Sequence, residues 1–218
     1  MSDKALMNRA TLELTQKLQM HFPTDIPPDV LQAWNGSPKE VIQARLAEVF
    51  GRMPVARQDL LQFLGTVAIP AIAEPFIAQD EFVEDTSSDA KVKIVFLDSD
   101  FKEWFLGKTE EPIQETVLRY HKLAELSVDG PIIAELGGES KSETTLAQIF
   151  ALMKIQRNGE AGALLSNGYA NIFYVRGANN LLRAVVVCWV GGGWRVDADS
   201  VEDPDGWCDG IRVFSSNS

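Results

Sequence analysis

Asp98 and Asp100 stand directly after the apolar run VKIVFL, residues 92–97. Side chains alternate along a strand, so carboxylates two positions apart leave its end toward one point. Hard oxygen ligands placed this way suit a divalent cation. The pair defines a candidate metal site and, with it, a metal-dependent hydrolase. No later stretch reads as a second acidic metal site, and a solvated strand end accounts for the same residues. Asp197 and Asp199 repeat the spacing, with Glu202, Asp203, Asp205 and Asp209 close behind. A calcium loop needs a glycine where Glu202 stands and an oxygen ligand where Val201 stands, so an exposed acidic turn is the better reading.

Anion chemistry has one candidate place. Gly137 and Gly138 precede a segment with helical spacing, and Ser140 follows them. Backbone amides at a helix start, with Ser140, Lys141 and Ser142 nearby, could hold a phosphate or carboxylate. An ordinary capped helix start explains the same residues. The sequence FLGKT, 105–109, resembles the tail of a phosphate loop, but Lys102 stands where its first glycine belongs. Nucleophilic catalysis is poorly supplied. There are two histidines, His21 and His121; no Gly-x-Ser-x-Gly elbow occurs, and Cys188 falls in an apolar strand pattern. Trp189, Trp194 and Trp207 lie within nineteen positions, beside Arg195 and Arg212. Tryptophan and arginine anchor binding surfaces, which makes Trp194, Arg195, Trp207 and Arg212 a candidate contact site. Tryptophans beside glycine turns can equally plug the end of a sheet.

These residues need elements to position them. Leu6, Leu12, Leu14 and Leu18 predict a helix over 5–20, broken by the three prolines of 22–29. Ser37, Pro38 and Glu40 predict the capped start of a helix over 38–51. A further helical turn or two is expected at 57–65, ending at Gly65. Segment 67–84 reads as a broken or edge strand because of Pro70 and Pro75. Strands are expected at 92–97 and 117–126, and a short buried one at 131–136. A helix follows over 142–157, started by Ser140 with Glu143 or by Ser142, and stopped at Asn158-Gly159. The rest reads as an antiparallel meander of 170–176, 181–190 and 194–201, with a last strand at 211–214 pairing at an edge. The middle strand puts Arg183, Val185, Val187 and Trp189 on one face and Leu182, Ala184, Val186 and Cys188 on the other. Both faces are largely apolar, so the strand should be central and covered, with helix 142–157 a candidate cover. The expected class is α+β: N-terminal helices, then an antiparallel sheet packed by that helix. The expected division is a helical region over 1–65 and an α+β domain over 66–218.

Composition narrows the function classes. The chain has 218 residues, 45% apolar and 23% charged, which suits a folded globular protein. Its net charge is −11, and residues 71–140 hold sixteen acids against six bases. Such a field repels nucleic-acid backbones and anionic lipid and attracts cations or basic proteins. No apolar run is long enough for a membrane span, and the N-terminus lacks an apolar secretory core. A cytoplasmic protein with reduced thiols is expected. No cofactor is implied, and the expected partner is a protein; the oligomeric state is left open.

The tail GWRVDADSVEDPDGWCDGIRVFSSNS, 193–218, together with ANIFYVR, 170–176, and ELGGESKSETTLAQIF, 135–150, resembles a group of candidate-phylum bacterial proteins without an assigned activity. The shared pattern is Trp-x-Val, Ser-Val, Trp, Val-Phe-Ser and Asn-Ser in that order. The resemblance implies one C-terminal unit and supplies no catalytic residue. Taken together, the residues lead to a non-enzymatic binding protein, in its specific form an acidic partner or inhibitor of a basic protein. The alternative is a divalent-metal-dependent hydrolase using Asp98 and Asp100.

Overall fold

A computed structural model describes Lys17 and residues 26–52 and 59–217. The helix expected over 5–20 lies outside the described residues, apart from Lys17. The fold is α+β, with N-terminal helices and a central sheet packed against helices. The chain divides into two compact units, Met1–Ala56 and Arg57–Ser218.

In the first unit, α1 (Pro28–Asn35) begins on a proline, whose fixed φ and missing N–H suit a first helical position. The second helix, α2, spans Lys39–Arg52. Ser37 does not cap it. Its hydroxyl donates to the Ala33 carbonyl at 2.8 Å, and the Pro38 carbonyl accepts the first bonds of α2.

The second unit contains β1 (Leu61–Ile69), β2 (Phe76–Ile77), α3 (Ala78–Glu81), β3 (Ile94–Leu97), α4 (Ser99–Phe105), β4 (Thr109–Glu110) and β5 (Thr116–Leu123). Then come α5 (Asp129–Leu136), α6 (Glu139–Ser142), α7 (Leu146–Ile155), β6 (Asn171–Arg176), β7 (Leu182–Val190), β8 (Gly193–Ser200) and β9 (Arg212–Ser216). The helical turns expected up to Gly65 are therefore part of a strand. Gly65 sits where the β1–β5 register shifts, and a Cβ there would come within 3.1 Å of the Tyr120 hydroxyl. The strand expected at 131–136 is the helix α5. Asp129, Gly130 and Pro131 form its first turn, where proline loses no hydrogen bond.

Seven strands form one sheet in the order β1-β5-β9-β6-β7-β8-β3. The antiparallel meander β6-β7-β8 runs as expected, but the sheet is mixed: β9 is parallel to β6, and β3 is parallel to β8. The last strand is not at an edge, since β9 lies between β5 and β6. Residues of α4 and α7 pack on one face, with Phe101, Phe105, Ile149 and Met153 against Val185, Val187, Val196 and Phe214. On the other face Ile132 of α5 joins Ile172, Leu182, Ala184 and Val213. The alternation read in β7 thus feeds two cores, one on each side of the sheet. Full burial of each such aliphatic side chain stabilises by about 1.5–3 kcal/mol before chain entropy is counted.

The helix expected over 142–157 is α7, starting later than expected. Thr145 is its N-cap, and Thr145 and Gln148 form the reciprocal capping box. Glu143 instead pairs with Arg176 at 3.0 Å, and Ser140 lies in the four-residue α6.

Candidate functional site

The edge strand β3 lies within a long acidic segment. Residues 78–103 carry eight carboxylates against three lysines. They form α3, the loop after it, β3 and the start of α4. Two ion pairs fasten this segment: Lys91 to Glu81 and Lys102 to Glu84, both at 2.8 Å. The second strap also receives the backbone N–H of Leu97 at 2.9 Å. The Lys102 bond and the Leu97 N–H hold the Glu84 carboxyl below its usual range. Asp80, Asp85, Asp89, Asp100 and Glu103 remain exposed along the same edge.

The adjoining strand adds to that field. Trp194, Val196 and Ala198 of β8 point into the core, which leaves Arg195, Asp197 and Asp199 on the opposite face. Arg195 Nε donates to both oxygens of Asp197 at 2.8 Å. Its guanidinium also lies over the Phe96 ring, 5.1 Å from the centroid. Partial burial raises the pKa of Asp197, and the charge of Asp98 adds to the rise, although Arg195 opposes it. Burial raises Asp199 too, helped by the charges of Asp197, Asp203, Asp129 and Asp98.

Of the pair Asp98 and Asp100, the first is engaged by the chain at the start of α4. Asp98 is the N-cap of α4, and its Oδ2 accepts the Asp100 backbone N–H at 2.9 Å. The carboxylate thus satisfies a helix-start donor, as an N-cap does. Among the described residues, no group of three or more His, Cys, Asp or Glu side chains could hold a metal ion.

The glycine step at 137–138 is also a chain device. Gly137 ends α5 with φ +102°, and Gly138 follows at +96°. The Gly138 N–H closes back on Ile133 O at 2.9 Å, a glycine C-cap. The long helix does not start there, so the amides expected to receive an anion beside Ser140 belong to the four-residue α6. The start of α7 already has its anion. Glu110 Oε1 accepts Leu146 N–H at 3.0 Å and Oε2 accepts Ala147 N–H at 2.9 Å. Lys108 Nζ stands 3.0 Å from the same carboxylate. A buried glutamate at a helix N-terminus was not singled out from the sequence, because 36 residues separate it from its partners.

The Trp/Arg set is divided by the sheet. Trp194 is fully buried, and its Nε1 donates to Gln156 O at 3.2 Å. A side chain with no accessible surface offers no contact face, so Trp194 belongs to the core. Arg195 lies on the opposite face. Arg212 points to the α7 side, with its guanidinium 5.3 Å from the Tyr120 centroid and Nη1 donating to Gly162 O at 2.7 Å. Trp207 packs with the other core, and its Nε1 donates to Asp129 Oδ1 at 2.8 Å. Arg195 alone of the four joins the acid-lined edge.

Comparison with family models, with curated proteins and with solved structures finds no match. Among the described residues, no helix is long and apolar enough to cross a membrane.

Proposed function

We propose that the chain is a non-enzymatic binding protein that engages a basic protein surface through the acidic edge formed by residues 78–103 and the outer face of β8. One observation carries this reading: the acid surplus of the middle third lies on the surface, and half of its exposed acids fall within residues 78–103. Twelve of the sixteen acids of residues 71–140 are exposed. Only Glu110 and Asp129 are buried, each in a structural role. Long-range attraction of this kind steers association and sets specificity. Asp199, half-buried beside Asp197 on the outer face of β8, adds negative charge next to that edge. Cytoplasmic work fits the two cysteines, both free thiols. The tail motif supports a resemblance to the candidate-phylum bacterial group.

A fluorescent octalysine peptide serves as the basic probe. Reversing Asp100 and Glu103 to lysine should weaken its binding by about tenfold or more, since like charges facing each other cost several kcal/mol. Reversing Glu115 and Glu125, exposed at the two ends of β5, changes net charge by the same amount. That control should lower affinity by less than about threefold. Equal losses in the two double variants would reduce the interaction to net charge and overturn the assignment of the edge.

A further inference from the structure

The second face of the sheet is not covered along its whole length. Ile132 and Leu136 of α5 pack over it, and the helix then stops at Gly137. Beyond that stop, strands β1, β5 and β9 continue, and a cavity of about 390 Å³ opens between them and the end of α5. Its floor follows from strand alternation. Phe63 and His121 face one another across β1 and β5, and Arg119 faces Ser215 across β5 and β9. Ser215 and His121 are buried, 3% and 7% exposed. Lys141 forms part of the wall, with its stem folded against Gly137, where a Cβ would lie 2.9 Å from Lys141 Cδ.

The charges in this cavity are unevenly satisfied. Glu135 is engaged by the chain: its oxygens accept Leu60 N–H at 3.1 Å and Leu61 N–H at 2.7 Å. Asp59 is the other acid of the lining. Neither Arg119 nor Lys141 has a carboxylate partner among the described residues. The Arg119 guanidinium instead rests over the Phe63 ring, 4.9 Å from its centroid. His121 Nδ1 is buried without a hydrogen-bond partner. A buried polar atom in that state is costly, so each one asks for a reason.

We infer that this cavity binds a small organic oxyanion, a carboxylate or phosphate monoester carrying an apolar body. The anionic head lies with Arg119 and Lys141, and the Ser215 hydroxyl donates to it from the floor. Arginine offers a planar fork of donors that fits either oxyanion, and lysine adds a point charge. The apolar body rests on Phe63 and Leu136, beside the His121 ring, whose centroid is 5.5 Å from that of Phe63. The volume suits a ligand the size of a small metabolite. This site lies on β1, β5 and β9, at the other end of the strand order from the acidic edge on β3, so the two assignments stand or fall separately.

Phenyl phosphate and benzoate are the probes, titrated at constant ionic strength into the full chain. The readout is the His121 imidazole resonance, identified by its loss in His121→Gln, the protein having only two histidines. Either compound should shift it saturably below about 10 mM, the range expected of so small a ligand. Which of the two binds tighter tells a phosphate site from a carboxylate site. Arg119→Met and Lys141→Met should each weaken binding about tenfold or more. Both side chains are exposed, so the thermal midpoints of the ligand-free variants should match the parent and confirm that the fold is kept. No saturable shift with either compound, or undiminished affinity in both variants, would overturn the site.

Discussion

The Tyr174 hydroxyl donates to Asp129 Oδ1 at 2.7 Å, joining the middle of the sheet to the first turn of α5. Trp207 donates to the same oxygen. Asp129 is 1% exposed, and burial raises its pKa, with the charge of Asp203 adding to the rise while the two donors oppose it. Asp129→Ala strands one buried and one part-buried donor and should cost about 2–4 kcal/mol in urea unfolding. Asp129→Asn keeps an acceptor and should cost less. The pH dependence separates the two effects. A carboxyl whose folded pKa is raised contributes stability that is complete below its unfolded value near 3.9 and is lost as pH rises through the folded value. The stability of Asp129→Asn relative to the parent should therefore improve as pH is raised from about 4 to 7. A gap that stays constant, or moves the other way, would contradict this.

Glu110 should be the costliest exposed-to-buried acid to remove. It neutralises the start of α7 and pairs with Lys108 at one place. Glu110→Ala leaves two helix-start amides and a lysine without it, which should lower stability by about 3 kcal/mol or more. Asp98→Ala removes only the cap of α4 and should cost about 1 kcal/mol. Chemical denaturation of both variants gives the comparison, and a reversed order would show that Asp98 does more than cap.

Gly159 ends the chain turn after α7 with φ +74°, against the Trp189 indole. A Cβ there would fall 2.3 Å from Trp189 Cε2. Trp189 in turn meets Trp194 edge-on at 5.2 Å. Gly159→Ala should destabilise by about 2 kcal/mol or more, from backbone strain and overpacking together. Tryptophan emission should change with it, because the clash falls on that pair. Unchanged stability and emission would mean that the turn relaxes freely.

Much of this fold was legible because it is local. The Leu146, Ile149, Phe150 and Met153 stripe marks α7, and alternation in β7 marks a strand with two buried faces. What escaped is non-local. The place of β9 in mid-sheet depends on pairing with β5 and β6, on which its own five residues are silent. The run PIIAEL favours a strand by its isoleucines, yet Asp129 before it and Pro131 at its start are helix-start residues. That signal was available and was outweighed by composition. Gly65 looked like a helix stop because a glycine at a strand irregularity and one at a helix end are indistinguishable in so short a segment. Among the site residues, the spacing of Asp98 and Asp100 points to a cation, but the same spacing makes an N-cap, and the N-cap contact to the Asp100 N–H is visible only in the structure.

The two cysteines should differ in reactivity. Burial, and then the charge of Asp197, pushes the Cys188 thiol up to about 11, while Cys208 is exposed. At pH 8 Cys188 then carries on the order of one thiolate per thousand molecules. A thiol-specific reagent should label one cysteine fast and the other slowly, and Cys208→Ser should abolish the fast phase. Fast labelling that survives Cys208→Ser would contradict the burial of Cys188.

The account rests most heavily on attraction between the acidic edge and a cationic partner. Its most direct test is the association constant for octalysine measured across ionic strength. Screening shortens the reach of charge from about 10 Å at 0.1 M to about 3 Å at 1 M. Binding should fall steeply over that range, and the slope should flatten in the Asp100→Lys, Glu103→Lys variant. Affinity indifferent to salt, or an unchanged slope in that variant, would contradict the account.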